Sequence, residues 1–308
     1  MDIRKLNHRA GWLVADYLNE KPSAVTPGMV HETVTGCGGE IDEETVYASL
    51  LAMQMGLDDD SSAEDRLILD YYLVPGLKRL DPSVYRNNPY YRDINASEHK
   101  SGNWMFSYQA YRPYELFLRD DLILSDDLRQ IPALGYFPEE FRYLSVMQDG
   151  REWMSIKPSE IESSQAAIDA ASGRVVTFGL GLGYFAYMAA LKPDVVSMTV
   201  VERDPTVIEL FVSELLPQFC VKDKISVVQC DAFDYLEHRM SGINPDFVFM
   251  DIWHDIADGT PLYVRARQFE RRFPATRFMY WIERSLKCAL IDELEGMAAG
   301  PTGRKDVL

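Results

Sequence analysis

From residue 174 onward, short β-rich runs alternate with helical segments, and the first run ends in the loop Gly179-Leu180-Gly181-Leu182-Gly183. The strand candidates are Val175–Phe178, Ser197–Val201, Ile225–Val228 and Phe247–Met250. Between them, helices are expected through Tyr184–Ala190, from Pro205 to Leu216, and through Asp234–Leu236. Such alternation predicts a parallel sheet covered on both faces, an α/β fold of the Rossmann type. A fifth strand is expected over Arg277–Ile282. Little chain follows it, so the sheet is expected to be truncated there.

The region before the sheet reads differently. Leu6, Ala10, Leu13, Val14 and Tyr17 recur at helical spacing, as do Val46, Leu50, Leu51 and Met55, then Leu67, Leu69, Tyr72, Leu73 and Leu77. These stripes predict an N-terminal helical domain over residues 1–132. Asp42 and Ser61-Ser62 stand where helix N-caps are expected. The turn-rich piece Asp81–Asn95, with Asn87-Asn88-Pro89, fits no regular element. Residues 133–308 form the second expected domain. It opens with a β-hairpin, Tyr143–Met147 and Glu152–Ile156 around Asp149-Gly150, and a helix from Pro158 through Ala171.

Composition narrows the partners. The chain of 308 residues carries a formal charge of −17, and its basic residues are scattered. Binding to nucleic acid through its backbone needs a basic face, so a small-molecule acceptor is the expected partner. No stretch approaches the ~20 apolar residues that cross a bilayer. The N-terminus has no apolar signal region, and the expected compartment is the cytoplasm. Cys37, Cys220, Cys230 and Cys288 make no CxxC pair and the histidines no HxxxH, so free thiols and no metal site are expected. A homodimer stays open.

In an open parallel sheet, ligands bind beyond the carboxyl ends of the strands, where strand order reverses. Three features fall at such ends. Gly179, Gly181 and Gly183 let backbone approach a ligand. Glu202, with Arg203 after it, ends the second strand at the range where a carboxylate accepts both hydroxyls of a ribose. Asp231, with Ala232, follows the third strand, where it can meet a base edge. The dinucleotide pattern wants a third glycine where this chain has the bulky Tyr184, which speaks against a pyrophosphate and a nicotinamide enzyme.

With these residues in place, positions 174–255 resemble the class I S-adenosylmethionine-dependent methyltransferases. The resemblance implies that the three glycines, with Tyr184, lie along the methionine part of S-adenosyl-L-methionine. It implies that Glu202 and Arg203 border the ribose, Asp231 and Ala232 the adenine, and Asp251 the transferred group. S-adenosyl-L-homocysteine is the implied product. Many members carry an acid two positions before the first glycine; this chain has Thr177. The spermidine-synthase-like branch shares that departure and the hairpin, but its second aspartate and proline are missing from Asp251-Ile252-Trp253-His254-Asp255.

Asp251, His254 and Asp255 are the catalytic candidates. His254 suits a base because its ordinary pKa lies near neutrality, with a solvated loop position as the plainer reading. Trp253 is either core or a wall of the acceptor pocket. Ser159-Glu160 can approach the cofactor's amino end in place of the missing acid, with helix capping the plainer reading. Methyl transfer to a small molecule leads. Aminopropyl transfer and a non-catalytic nucleoside-binding module remain as alternatives.

Overall fold

In the computed structural model, which describes residues 2–96, 100–101 and 104–298, the apolar stripes of the first part become α1 (Ile3–Glu20), α2 (Pro27–Gly36), α3 (Glu43–Gln54) and α4 (Ala63–Ile68). Asp42 caps α3 by accepting the Thr45 N–H at 2.9 Å, and Ser62 caps α4 through the Asp65 N–H. Each cap contributes about 1 kcal/mol. Leu6, Val14, Tyr17, Tyr47, Leu51, Tyr72 and Leu73 close one core between these helices.

The piece Asp81–Asn95 is regular after all. It folds as two short helices, α5 (Pro82–Arg86) and α6 (Pro89–Asp93), with prolines in their first turns and Asp81 and Asn88 as caps. The helical expectation fails further on. Trp104–Tyr111 is a strand, β1, antiparallel to β2 (Phe141–Gln148), which turns at Asp149-Gly150 into β3 (Arg151–Ser155). Asp149 and Gly150 both have positive φ, as such a two-residue turn requires. The pairing of β1 with β2 therefore spans the boundary expected at 132. So do Tyr85 and Tyr90, which pack into the core beside the sheet.

A helix, α7 (Pro158–Ala170), then delivers the chain into the main sheet. The remaining elements are β4 (Gly173–Phe178), α8 (Tyr184–Ala190), β5 (Val195–Glu202), α9 (Pro205–Leu210), β6 (Ile225–Gln229), α10 (Ala232–His238), β7 (Phe247–Met250), α11 (Ile256–Glu270), β8 (Arg277–Tyr280) and α12 (Glu283–Ala298). The sheet order is β6-β5-β4-β7-β8 and every pairing is parallel. This is the Rossmann-like α/β architecture, and among the described residues the sheet ends at its fifth strand.

Period-two alternation splits the strands between two cores. Val175, Phe247 and Phe249 face α7 and α8, while Val176, Phe178, Val248 and Met250 face α10 and α11. A segment before the hairpin ties the outer layers together. Arg119 bonds Glu162 on α7 at 2.7 Å, and the buried Asp121 accepts the backbone N–H groups of Arg284 and Ser285, which open α12. No helix among the described residues is long and apolar enough to cross a membrane.

Candidate functional site

Strand order reverses at β4. The chain runs outward to β5 and β6, then returns to place β7 on the other side of β4. The ends of β4, β5 and β7 consequently surround one crevice.

All three loop glycines have positive φ, near +91°, +55° and +75° at Gly179, Gly181 and Gly183. The reasons for them differ. A Cβ on Gly179 would run into the Asp251 carbonyl oxygen, and one on Gly183 would run into the Phe211 ring. Those two glycines serve close packing within the protein. Gly181 has only the Met154 sulfur near, 3.7 Å away, so its open side is the one a ligand can approach. Beside it lies an apolar recess lined by Trp104, Phe106, Met154, Leu182, Val207 and Phe211.

Glu202 sits over this loop. Its Oε2 accepts the Leu180 N–H at 3.1 Å, and its Oε1 accepts the N–H groups of Arg203 and Asp204 at 2.7 and 2.8 Å. Three backbone donors thus fix the carboxylate at the end of β5. The Arg203 side chain is exposed. Asp231 caps α10, its Oδ1 accepting from Phe233 and Asp234, and Ala232 is buried beneath it.

Asp251 ends β7, where its N–H bonds the Phe178 carbonyl at 2.9 Å. Burial raises its carboxyl well above the ordinary value, and the charges of Glu160 and Glu202 push it the same way. Burial also pushes Glu160 up to about 7, against the pull of the Lys157 ammonium and with a further push from Glu152. Lys157 itself is engaged with Glu152 at 3.0 Å. Among the described residues, neither Glu160 nor Asp251 has a hydrogen-bond or ion-pair partner for its carboxylate. Both residues keep part of their surface open.

Several expectations need correction. Asp255 is a helix cap, exposed, with its Oδ1 accepting from Ala257 and Asp258 in a capping box at the start of α11. Its Oδ1 is thus committed to the helix end. Tyr184 does not face the crevice through its ring. The ring is buried against Tyr90, and its hydroxyl accepts from the Asn88 amide at 2.9 Å. Trp253 is core, stacked toward Tyr280 and pressed against Gly259, with its indole N–H unpartnered. Glu160 does not cap α7; Lys157 occupies the cap position and no side chain bonds there.

His254 is exposed, and its Nδ1 lies 3.4 Å from Asp258. Its ring meets Trp153 edge-on at 4.6 Å, and Trp153 meets Trp104 likewise at 5.6 Å. The hairpin therefore reaches the loop after β7 through aromatic contacts. The sequence also concealed a brace behind the glycine loop. The Tyr90 hydroxyl donates to the Leu182 carbonyl at 2.6 Å, and Tyr187 on α8 donates to Asp93 at 2.7 Å. Among the described residues no group of acids, histidines and cysteines has the makings of a metal site.

No protein-family model matches the chain, and no curated protein matches it. Solved structures similar to it include cofactor-bound Rv0187 from MTB, at 20% identity and a TM-score of 0.31, covering 45% of this chain and 66% of that one. Another is the O-methyltransferase TomG from Streptomyces achromogenes, involved in tomaymycin synthesis and solved in complex with SAM. There the identity is 16% and the TM-score 0.31, over 46% of this chain and 67% of that one. This chain thus spans about two thirds of the length of each.

Proposed function

We propose that the protein is an S-adenosylmethionine-dependent transferase that moves a methyl group to a small-molecule acceptor. The observation that carries this reading is Glu202, held by three backbone N–H groups over a glycine loop whose Gly181 is open toward the crevice. A diphosphate placed beside that fixed carboxylate would meet like charge, at a cost that grows as the dielectric falls, whereas a ligand with a ribose and a positive charge would not.

S-adenosylmethionine supplies an electrophilic methyl group on a sulfonium. In this reading Glu202, already fixed by three N–H groups, accepts from the ribose. Asp231 offers its second oxygen to the adenine edge, beside Ala232. Gly181 gives the open stretch of backbone. Asp251 borders the transferred group. Such a displacement needs alignment, and a base only when the acceptor must lose a proton. His254, oriented by Asp258, is the candidate for that proton.

Calorimetry with S-adenosylmethionine and S-adenosylhomocysteine tests the proposal, and absence of heat from both at high concentration would sink it. Glu202→Ala is expected to weaken binding by roughly 1–3 kcal/mol, the loss of hydrogen bonds to a charged group. One observation favours a second reading. The lysine whose charge acts on Glu160, Lys157, is held by Glu152 at 3.0 Å, and among the described residues neither Glu160 nor Asp251 forms an ion pair. A cofactor without a carboxylate suits such a site, as aminopropyl transfer would need. Competition between S-adenosylmethionine and its decarboxylated form separates the two.

A further inference from the structure

The strand β3 touches both rims of the crevice. Its Met154 sulfur lies 3.7 Å from the space a Cβ would take at Gly181, in the loop after β4. Its Trp153 meets His254, in the loop after β7, edge-on at 4.6 Å. Neighbouring residues of a regular strand point to opposite faces. Here the ladder slips by one residue. Val146 pairs with Met154 and Met147 with Glu152, which leaves Trp153 as the extra residue of a bulge. A bulge re-aims the side chains beside it. Trp104 meets Trp153 edge-on at 5.6 Å and lines the same recess as Met154, so both residues act on one side of the hairpin.

The two sides of this contact are held unequally. His254 is anchored to α11, its backbone N–H donating to Asp258 at 3.0 Å and its Nδ1 lying 3.4 Å from the same carboxylate. The strand β3 is five residues long and, among the described residues, pairs with β2 alone. Its first three residues are exposed. An edge strand with so little buried surface opens at small cost. Met154 stands on the approach to Gly181, so a ligand that reaches that backbone displaces it. We propose that β3 is a strap across the crevice, latched by Trp153 on His254, which lifts to admit a ligand to Gly181 and closes over it again. The same movement uncovers the His254 ring. The strap rests on the transferase reading above only for its ligand, for which S-adenosylhomocysteine is the probe.

Lifting can be measured without ligand. In the full chain carrying Gly181→Cys, iodoacetamide labelling of the peptide that contains position 181 reports access to the loop. Reading that peptide separates it from Cys37, Cys220, Cys230 and Cys288, which are all free thiols. Trp153→Ala is expected to speed the labelling about three- to tenfold, the scale of one aromatic pair. Trp153→Phe, which keeps a ring, should restore most of the slow rate. His254→Ala on the facing loop should act like Trp153→Ala, and serves alone should the tryptophan variant not fold. The two together should do no more than either one, because both break the same contact.

Stopped-flow binding of S-adenosylhomocysteine to chains that keep Gly181 gives the second measurement. A latch lost alike from the free and the bound protein changes rates and not affinity. Trp153→Ala should therefore raise the association and dissociation rates by a common factor of about three to ten, with Kd changed less than about twofold. Labelling unchanged by either substitution, or a Kd weakened through faster dissociation alone, overturns the strap. A wild-type chain that binds no S-adenosylhomocysteine, while Trp153→Ala still speeds the labelling, overturns the transferase reading and leaves the strap standing.

Discussion

At Gly179 the backbone takes φ +91° and the space for a Cβ is filled by the Asp251 carbonyl oxygen, whereas at Gly181 that space holds only a methionine sulfur at contact distance. Alanine at the two positions should behave differently. Gly179→Ala forces two strand ends apart as well as straining φ, and a loss of about 3 kcal/mol or failure to fold is expected in urea melts. Gly181→Ala adds the αL strain alone, roughly 1–2 kcal/mol. It should fold, and lose cofactor affinity by more than it loses stability. Equal destabilisation by the two would refute the division of labour within the loop. The spacing of the glycines was legible in the sequence; which glycine faces a ligand was not, because that depends on Asp251 and Phe211, which arrive from other strands and helices.

At the level of elements, α6 is the part that local pattern concealed. Asn87-Asn88-Pro89 has the composition of a turn, and only five residues of helix follow it. Its purpose lies in contacts made across the fold, with Asn88 on Tyr184 and Tyr90 on the Leu182 carbonyl. Tyr90→Phe removes the donor and leaves a buried carbonyl unsatisfied, so a loss of about 1–3 kcal/mol is expected. Amide exchange at Leu182–Tyr184 should accelerate more than exchange in β5, and a uniform change would argue against a specific brace. The strand β1 alternates in burial, with Trp104 and Phe106 inside and Met105 outside, but Met105 is itself apolar, so the sequence carries no such alternation. The first four parallel strands were legible because each is a largely apolar run that ends at a polar or glycine residue, namely Gly179, Glu202, Gln229 and Asp251. The capping role of Asp255 was not legible, because a capping aspartate and a catalytic one look alike until the helix is seen.

For the molecule as a whole, the crevice costs stability. Glu160 and Asp251 have folded-state pKa values above their unfolded ones, so the native state holds extra protons between the two values. Stability must then fall as pH rises from the ordinary carboxyl range toward about 7, where Glu160 ionises. Acids held below the usual range, such as Asp42 and Asp246, act in the opposite sense and only at lower pH. Thermal melts of the ligand-free protein should show Tm declining from about pH 5 to about pH 7.5. Glu160→Gln should flatten that decline and add roughly 1–3 kcal/mol near pH 8. A Glu160→Gln protein less stable than wild type at that pH would show that the charge is tolerated better than its surroundings suggest.

The ties running from Tyr90 to the glycine loop, and from Asp121 to the start of α12, also have a consequence for synthesis. A ribosome emits roughly 5–20 residues per second. Tyr90 therefore emerges several seconds before Leu182 exists, and Asp121 waits longer still for Arg284 and Ser285. During that interval the early helices can close their own core, but the aromatic surface built by Tyr85, Tyr90 and Trp104 has nothing to cover it. The nascent chain must carry this adhesive face exposed until the sheet is complete. Dependence on chaperones should accordingly be greatest for chains stalled between β1 and β8.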